Sequence, residues 1–398
     1  MRGVAVMGIL LLNIVSFALP RYAYVDPTFY GGATGANWWA WAATFVIADG
    51  KMRGLFTMLF GASTVMIAER TLARRRSPVQ RHYARMISLF AIGMVHAYLI
   101  WSGDILVLYA LCGSIVFVAW RWDTSRLLAI AALLMAWQLA NGALDFAAAR
   151  YFQERAAASD APASVRAEWA KYRSGLDQLR ADRSAELQAF RGGWGDVLPM
   201  RIAMTAEAQR TALPRTMPET IAFMLLGMVL FRSGFFSGLW ASAAYRSVLL
   251  FGYGICLPLY LPLIQWIDGT AFDPITLLLS EPLHLVLLRP GVTLAHAALI
   301  IHFAQLKSGR RIVAALVAVG RTAFSNYLGS SLIGTFLFCG YGLGWFGELD
   351  RWQLYPVVLG IWVLMLLWSP WWLRRFSFGP FEWLWRSMSE ARWQANRN

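Results

Sequence analysis

Apolar runs of roughly 17 to 25 residues recur along the chain, long enough to cross about 30 Å of hydrocarbon. Such a chain has few options, because backbone polar groups in lipid must be satisfied by helices or closed barrels. Hydrophobic residues make up 58% of the sequence and charged residues 15%, whereas soluble domains carry about 25% charged residues. The expected fold is therefore all-α: a polytopic transmembrane helical bundle of about ten membrane-spanning helices.

The net charge of +14 would suit a nucleic-acid partner if it were gathered on one face. Instead the arginines sit in short segments between apolar runs, the pattern of cytoplasmic loops. No nucleic acid is expected as a partner. Cys112, Cys256 and Cys339 lie far apart within apolar runs. They lack metal or disulfide spacing and read as packing residues. No metal is expected.

Crossings are predicted over 4–19, 52–67, 86–101, 105–120, 127–146, 220–231, 247–267, 292–306, 324–340 and 356–373. The first run lacks a cleavage signal and reads as a retained helix. Residues 38–48 are short and Trp-rich, which suggests an interfacial or re-entrant helix. Residues 268–290 carry Pro274, Pro282 and Pro290 and read as an outer re-entrant or lipid-interface segment. The strongest orientation signal is the loop from Arg70 to Arg85 with Arg74-Arg75-Arg76 at its centre, cytoplasmic by the positive-inside rule. Lys307, Arg310 and Arg311, and the C-terminal Arg374, Arg375 and Arg386, fall on the same side, so both termini are expected to be cytoplasmic. Three regions follow: an N-terminal bundle with the polar site over 1–149, an extracytoplasmic polar helical insert over 150–215, and a C-terminal transmembrane region over 216–398.

Ionisable groups within membrane segments are costly and are functional candidates by default. The stretch from Arg81 to Ala110 concentrates them. Arg81 and Arg85 open it, His96 lies inside an apolar run, and Ser102-Gly103-Asp104 turns the chain. Arg2 and Asn13 stand eleven residues apart, as do Arg85 and His96. That is about three helical turns, so each pair returns to one face. If the two helices are neighbours, Asn13 and His96 face one cavity, with arginines at its cytoplasmic mouth. Arginines there would hold an anion such as a phosphate, and an imidazole would serve as base or nucleophile. The plainer alternatives are headgroup-binding arginines and a histidine hydrogen-bonded to a neighbouring helix. On the outer side, Asp104 would orient His96 or cap the next helix. Lys51, beside Asp49, would line an outer site or snorkel to the interface. Glu281 and Asn326 are further candidates for that site. For Asn326 a cap or interhelical hydrogen bond is the alternative. His284, His296 and His302 are scattered, and His296 and His302 fall on different helix faces.

Several stretches carry a family resemblance. They are Arg2-Gly3 through Asn13, Gly50-Lys51-Met52-Arg53-Gly54-Leu55-Phe56 with Leu59-Phe60-Gly61, and His96 with Trp101-Ser102-Gly103-Asp104-Ile105-Leu106 and Tyr109-Ala110. The C-terminal half adds Leu226-Gly227-Met228, Gly320-Arg321 through Asn326-Tyr327-Leu328, and Phe378-Gly379-Pro380-Phe381-Glu382-Trp383-Leu384-Trp385-Arg386. Together they resemble the YeiB-like family of bacterial multi-pass membrane proteins over nearly the whole chain outside the insert. That family usually has a short basic leader and an acidic residue before the Arg-Gly pair, where this chain has only Met1.

In its N-terminal helices the family is similar to transmembrane acyltransferases of the heparan glucosaminide acetyltransferase and sugar O-acyltransferase type. Those enzymes move acyl groups from cytoplasmic acyl-CoA to acceptors across the membrane. The sugar enzymes usually carry histidine near the position of Asn13, so their catalytic residue is not transferred here. The resemblance implies a bacterial cytoplasmic-membrane acyltransferase using acetyl-CoA or another acyl-CoA as co-substrate. Arg2, Arg81 and Arg85 would hold CoA phosphates. His96 would be base or acyl carrier, oriented by Asp104, with Asn13 stabilising an oxyanion. Lys51, Asp49, Glu281 and Asn326 would serve a carbohydrate or lipid-linked acceptor. The expected surroundings are the lipid bilayer and other copies of the chain in a homo-oligomer. The alternatives are a permease using the same polar path and an assembly partner without chemistry.

Overall fold

The computed structural model describes residues 1–306 and 310–397; Lys307 lies outside the described residues. The chain is all-α, and among the described residues the only extended pairing is an isolated bridge between Phe376 and Arg397. Helix α1 is Arg2–Ala18, α2 Gly35–Ile47, α3 Lys51–Ala73, α4 Pro78–Val95, α5 Leu106–Val116 and α6 Thr124–Ala157. Helices α7 (Ala163–Arg191) and α8 (Trp194–Arg232) follow, then α9 (Ser242–Leu249), α10 (Tyr260–Gly269), α11 (Pro274–Pro282) and α12 (Arg289–Gln305). The last four are α13 (Arg310–Arg321), α14 (Ala323–Phe338), α15 (Leu354–Leu373) and α16 (Pro380–Ser389).

Among the described residues, 6 helical stretches are long and apolar enough to cross a membrane, or 7 if the bent pair α13–α14 is one span. The remaining predicted crossings are helical but do not meet that measure. Helix α1 and the stretch Leu106–Ala119 are shorter, and the apolar end of α8 follows a long polar beginning.

Two segments differ from expectation. Residues 38–48 belong to α2, which runs on into α3 as one candidate span, Gly35–Ala73, rather than standing as a separate short segment. Gly50 takes a left-handed φ of 65°, and the amides of Lys51 and Met52 both reach the carbonyl of Ala48, so the helix recovers at once. Residues 274–290 are likewise part of a candidate span, Pro274–Gln305. Pro274 occupies the first turn of α11, after the Asp273 cap. Pro282 precedes a π-helical turn, Leu283–Leu288, and Pro290 lies in the first turn of α12. Proline lacks only its own N–H, and first turns and π-turns both tolerate that loss.

Helix α1 packs against α3, α13, α14 and α15, while α4 packs against α3, α5 and α16. One apolar cluster runs through both halves, from Ala5 and Leu10 through Leu55, Tyr109 and Phe223 to Tyr327 and Val358. The insert is helical, as expected, and lies over the loops after α1 and α14. Glu186 accepts from the Arg21 amide at 2.7 Å, and Arg21 pairs with Glu207 at 2.7 Å. Arg191 pairs with Glu348 at 2.7 Å and donates to the Phe346 carbonyl at 2.8 Å.

Candidate functional site

Two cavities penetrate the bundle from opposite directions along α1. The face of that helix carrying Arg2, Val6 and Ile9 lines the first, and its continuation through Ile9, Asn13 and Ser16 lines the second. Steps of three and four residues keep these side chains on one face. Ile9 and Ile105 belong to both walls, so the cavities are separated by a thin apolar partition.

The first cavity encloses about 290 Å³ and is lined by Arg2, Arg70, Arg85, Arg321 and Arg386 above an apolar floor that includes Phe56, Leu89, Tyr109 and Tyr327. Arg85 and Arg386 are held by aromatic faces, 4.1 Å from the rings of Trp385 and Phe378 respectively. Trp385 also donates to the Arg85 carbonyl at 2.9 Å, which fixes α16 against α4. Arg2 donates to Ser63 Oγ at 2.5 Å and Arg321 to the Ser377 carbonyl at 3.1 Å. Glu382 is the acid in this wall, and its oxygens already accept from the amides of Phe324 and Ser325 and from Ser325 Oγ. Among the described residues, none of the five arginines is in an ion pair. Guanidinium groups so arranged suit phosphate or carboxylate.

The second cavity encloses about 450 Å³, with Asn13, Asp49, Arg53, Glu281, His284 and Arg289 among its polar lining and Tyr24, Trp41, Phe45 and Trp101 among its aromatic walls. Arg289 is 0% exposed and forms an ion pair with Glu219, which also accepts from Arg53 at 3.1 Å. Buried charges of this kind need such partners. Asp49 accepts from the Tyr24 hydroxyl at 2.7 Å.

His96 stands at the partition. The π-helical turn His96–Ile100 and the following turn bring its Nδ1 to 2.8 Å from Asp104 Oδ1. The other Asp104 oxygen accepts from the Val107 amide at 2.8 Å, so one carboxylate both orients the imidazole and caps α5. A carboxylate at Nδ1 holds the proton there and leaves a lone pair on Nε2. Nε2 is buried and has no hydrogen-bond partner among the described residues. His96 is 1% exposed and lines neither cavity itself. Its ring contacts Tyr327 of the first cavity, at 5.4 Å, and Trp101 of the second, at 6.2 Å between centroids.

The structure thus gathers Arg2 and Arg85 in one cavity and Asn13, Asp49 and Glu281 in the other, with His96–Asp104 between. Arg81 turns to Glu390, at 3.3 Å. Lys51 is 0% exposed and donates to the Phe45 carbonyl at 2.5 Å, with its ammonium 4.0 Å from the centre of the Tyr260 ring. Asn326 is fully engaged where α13 and α14 meet, bonded to the Val319 carbonyl, Thr322, Ser369 and Trp368. Sequence reasoning missed Arg386, Arg321 and Arg70 as cavity residues because basic residues at helix ends read as topology signals. It missed Arg53, Glu219 and Arg289 because their pairing joins three distant helices.

The family described as "Protein of unknown function (DUF418)" matches residues 230–392. "Uncharacterized protein YeiB" of Escherichia coli is 33% identical over 406 residues, covering 98% of this chain and 94% of that protein. "Uncharacterized protein YxaH" of Bacillus subtilis is 25% identical over 430 residues, covering 99% of this chain and 94% of its own length. No solved structure matches. Sharing a third of its residues with the Escherichia coli protein along nearly its whole length, this helical membrane protein belongs to the YeiB-like family.

Proposed function

We propose that the protein is an acyltransferase of the bacterial cytoplasmic membrane that moves an acyl group from cytoplasmic acyl-CoA, acetyl-CoA in the simplest case, to an extracytoplasmic or lipid-linked acceptor. The observation that carries this reading is the His96–Asp104 pair, its Nε2 lone pair unengaged, set between an arginine-rich cavity and a mixed-charge one. Arg70, in the wall of the first cavity, begins the basic loop containing Arg74-Arg75-Arg76. The positive-inside rule therefore puts that mouth in the cytoplasm, together with both termini.

In this reading Arg2, Arg85 and Arg386 hold CoA phosphates, and the apolar floor receives the acyl end. Motion of the Tyr327 ring admits the thioester to His96. The Nε2 lone pair attacks the carbonyl carbon and the C–S bond breaks. The CoA thiolate leaves and is protonated at the expense of the Nδ1 proton that Asp104 holds. An acyl-imidazole and free CoA thiol result. Asn13, which lines the second cavity, supplies a donor to the carbonyl oxygen when the acceptor attacks. A second reading, a permease, draws support from the two cavities meeting at Ile9 and Ile105, since an apolar constriction between vestibules is one form of gate.

Purified protein in lipid nanodiscs, given acetyl-labelled acetyl-CoA, tests the choice. The wild type is expected to become labelled and His96→Gln to stay unlabelled. Arg85→Gln and Arg386→Gln are each expected to weaken acetyl-CoA binding about ten-fold or more, the worth of a charged hydrogen bond. Absence of acetyl-CoA binding would refute the acyltransferase reading. Solute flux through wild-type protein that takes up no label would establish the permease.

A further inference from the structure

His284 was one of several scattered histidines in the sequence. In the fold it lines the second cavity beside Glu281, three residues earlier, and faces Asp49 from the Gly35–Ala73 stretch. Its Nδ1 is 2.8 Å from the Tyr260 hydroxyl, and its ring stacks on Phe45 at 4.8 Å. Its Nε2 lies 4.0 Å from Asp49 Oδ2, has no hydrogen-bond partner among the described residues, and sits on a residue only 2% exposed. Glu281 is exposed to the cavity and makes no ion pair or hydrogen bond among the described residues.

His296, on α12, provides the contrast. Both its ring nitrogens are engaged, with the Tyr253 hydroxyl at 2.7 Å and the Ile47 carbonyl at 2.8 Å, as a packing histidine's should be. His284 is held by a hydrogen bond at one nitrogen only, and its other nitrogen is buried 4.0 Å from Asp49, one of the two carboxylates that line the same cavity. Orientation through one nitrogen and a free second nitrogen is the arrangement of a general base.

We infer that His284 is the acid–base residue of the acceptor half-reaction, with Tyr260 as its positioning residue and Asp49 as the carboxylate nearest its Nε2. The inference rests on the acyl-carrier reading of His96. The acceptor hydroxyl oxygen attacks the acyl carbonyl on His96 while its proton passes to His284 Nε2. The tetrahedral intermediate then collapses and the bond from carbon to the His96 nitrogen breaks. The proton on His284 returns, through water in the cavity, to the departing imidazole. The products are an ester and two neutral histidines. Trp101 touches His96 and lines the second cavity, and so connects the acyl-carrying histidine to the space that His284 lines.

Water is itself an acceptor, so the test needs no knowledge of the natural one. Protein labelled from acetyl-labelled acetyl-CoA is freed of donor, and loss of label to water is timed for the wild type and for His284→Gln. A second series adds hydroxylamine, a nucleophile that needs no base. Among labelled molecules, loss to water is expected to slow by about 10²- to 10⁴-fold in the variant, while hydroxylamine discharges both proteins at the same rate. Equal loss to water from both proteins would overturn the role of His284 and leave His96 standing. A variant equally slow toward hydroxylamine would also overturn it, since access rather than proton transfer would then be impaired. A wild type that never takes up label would sink this inference together with the reading on which it rests.

Discussion

At the scale of the residue, Asp104 joins two roles that a single substitution separates. One oxygen holds His96 Nδ1 and the other accepts from the Val107 amide at the start of α5. Asparagine caps helices as well as aspartate does, but it carries no charge and can present an N–H to His96, favouring the wrong tautomer. Asp104→Asn is expected to lower acyl loading by about 10²-fold or more and to leave the unfolding midpoint in detergent unchanged. A fall in midpoint with loading intact would make the residue a cap and nothing more. Much of this pair was legible in the chain, because a histidine inside an apolar run and an acid in the next turn already mark a costly arrangement. The position of Nε2 was not, since it depends on Tyr327 and Trp101. Nor was the burial of Lys51 against the Phe45 carbonyl and the Tyr260 ring, because a lysine near a predicted helix end reads equally well as a snorkelling anchor.

At the scale of the element, α3 and α8 cross in backbone contact. A Cβ on Gly61 would lie 2.0 Å from the Met224 carbonyl oxygen, and one on Gly227 would lie 1.9 Å from that of Met58. The two glycines are reciprocal, as expected where small residues let membrane helices approach. This crossing places Glu219 of α8 against Arg53 of α3. Gly227→Val is expected to lower stability by about 3 kcal/mol or more, at the upper end of overpacking costs, and to reduce the yield of folded protein. Gly329→Ala, where a Cβ would meet nothing within 4 Å, is expected to be neutral or stabilising by up to about 1 kcal/mol. Thermal unfolding in detergent compares them, and equal midpoints would deny the close crossing. Most helices were legible from their apolar runs. The prolines misled, because Pro274, Pro282 and Pro290 read as breaks, whereas a cap, a π-turn and a first turn carry the chain past them.

At the scale of the whole molecule, the site belongs to both halves of the chain. Arg2 and Arg85 come from the beginning, Arg321 and Arg386 from the end, and Glu281, His284 and Arg289 from between. Local pattern was able to give the helices and the basic loops but not this convergence, which depends on α1 standing among α3, α13, α14 and α15. Two cavities on opposite sides of Ile9 and Ile105 make sidedness the central claim. The direct measurement uses vesicles with the protein in one orientation and acetyl-CoA, labelled separately in its acetyl and CoA parts, on the side of the arginine-rich cavity. The prediction is that acetyl label appears on the opposite side, as acetate or acetylated acceptor, while the CoA label stays where it was added and His96→Gln abolishes the transfer. Acetyl label confined to the donor side, or CoA label crossing with it, would contradict acyl transfer across the partition.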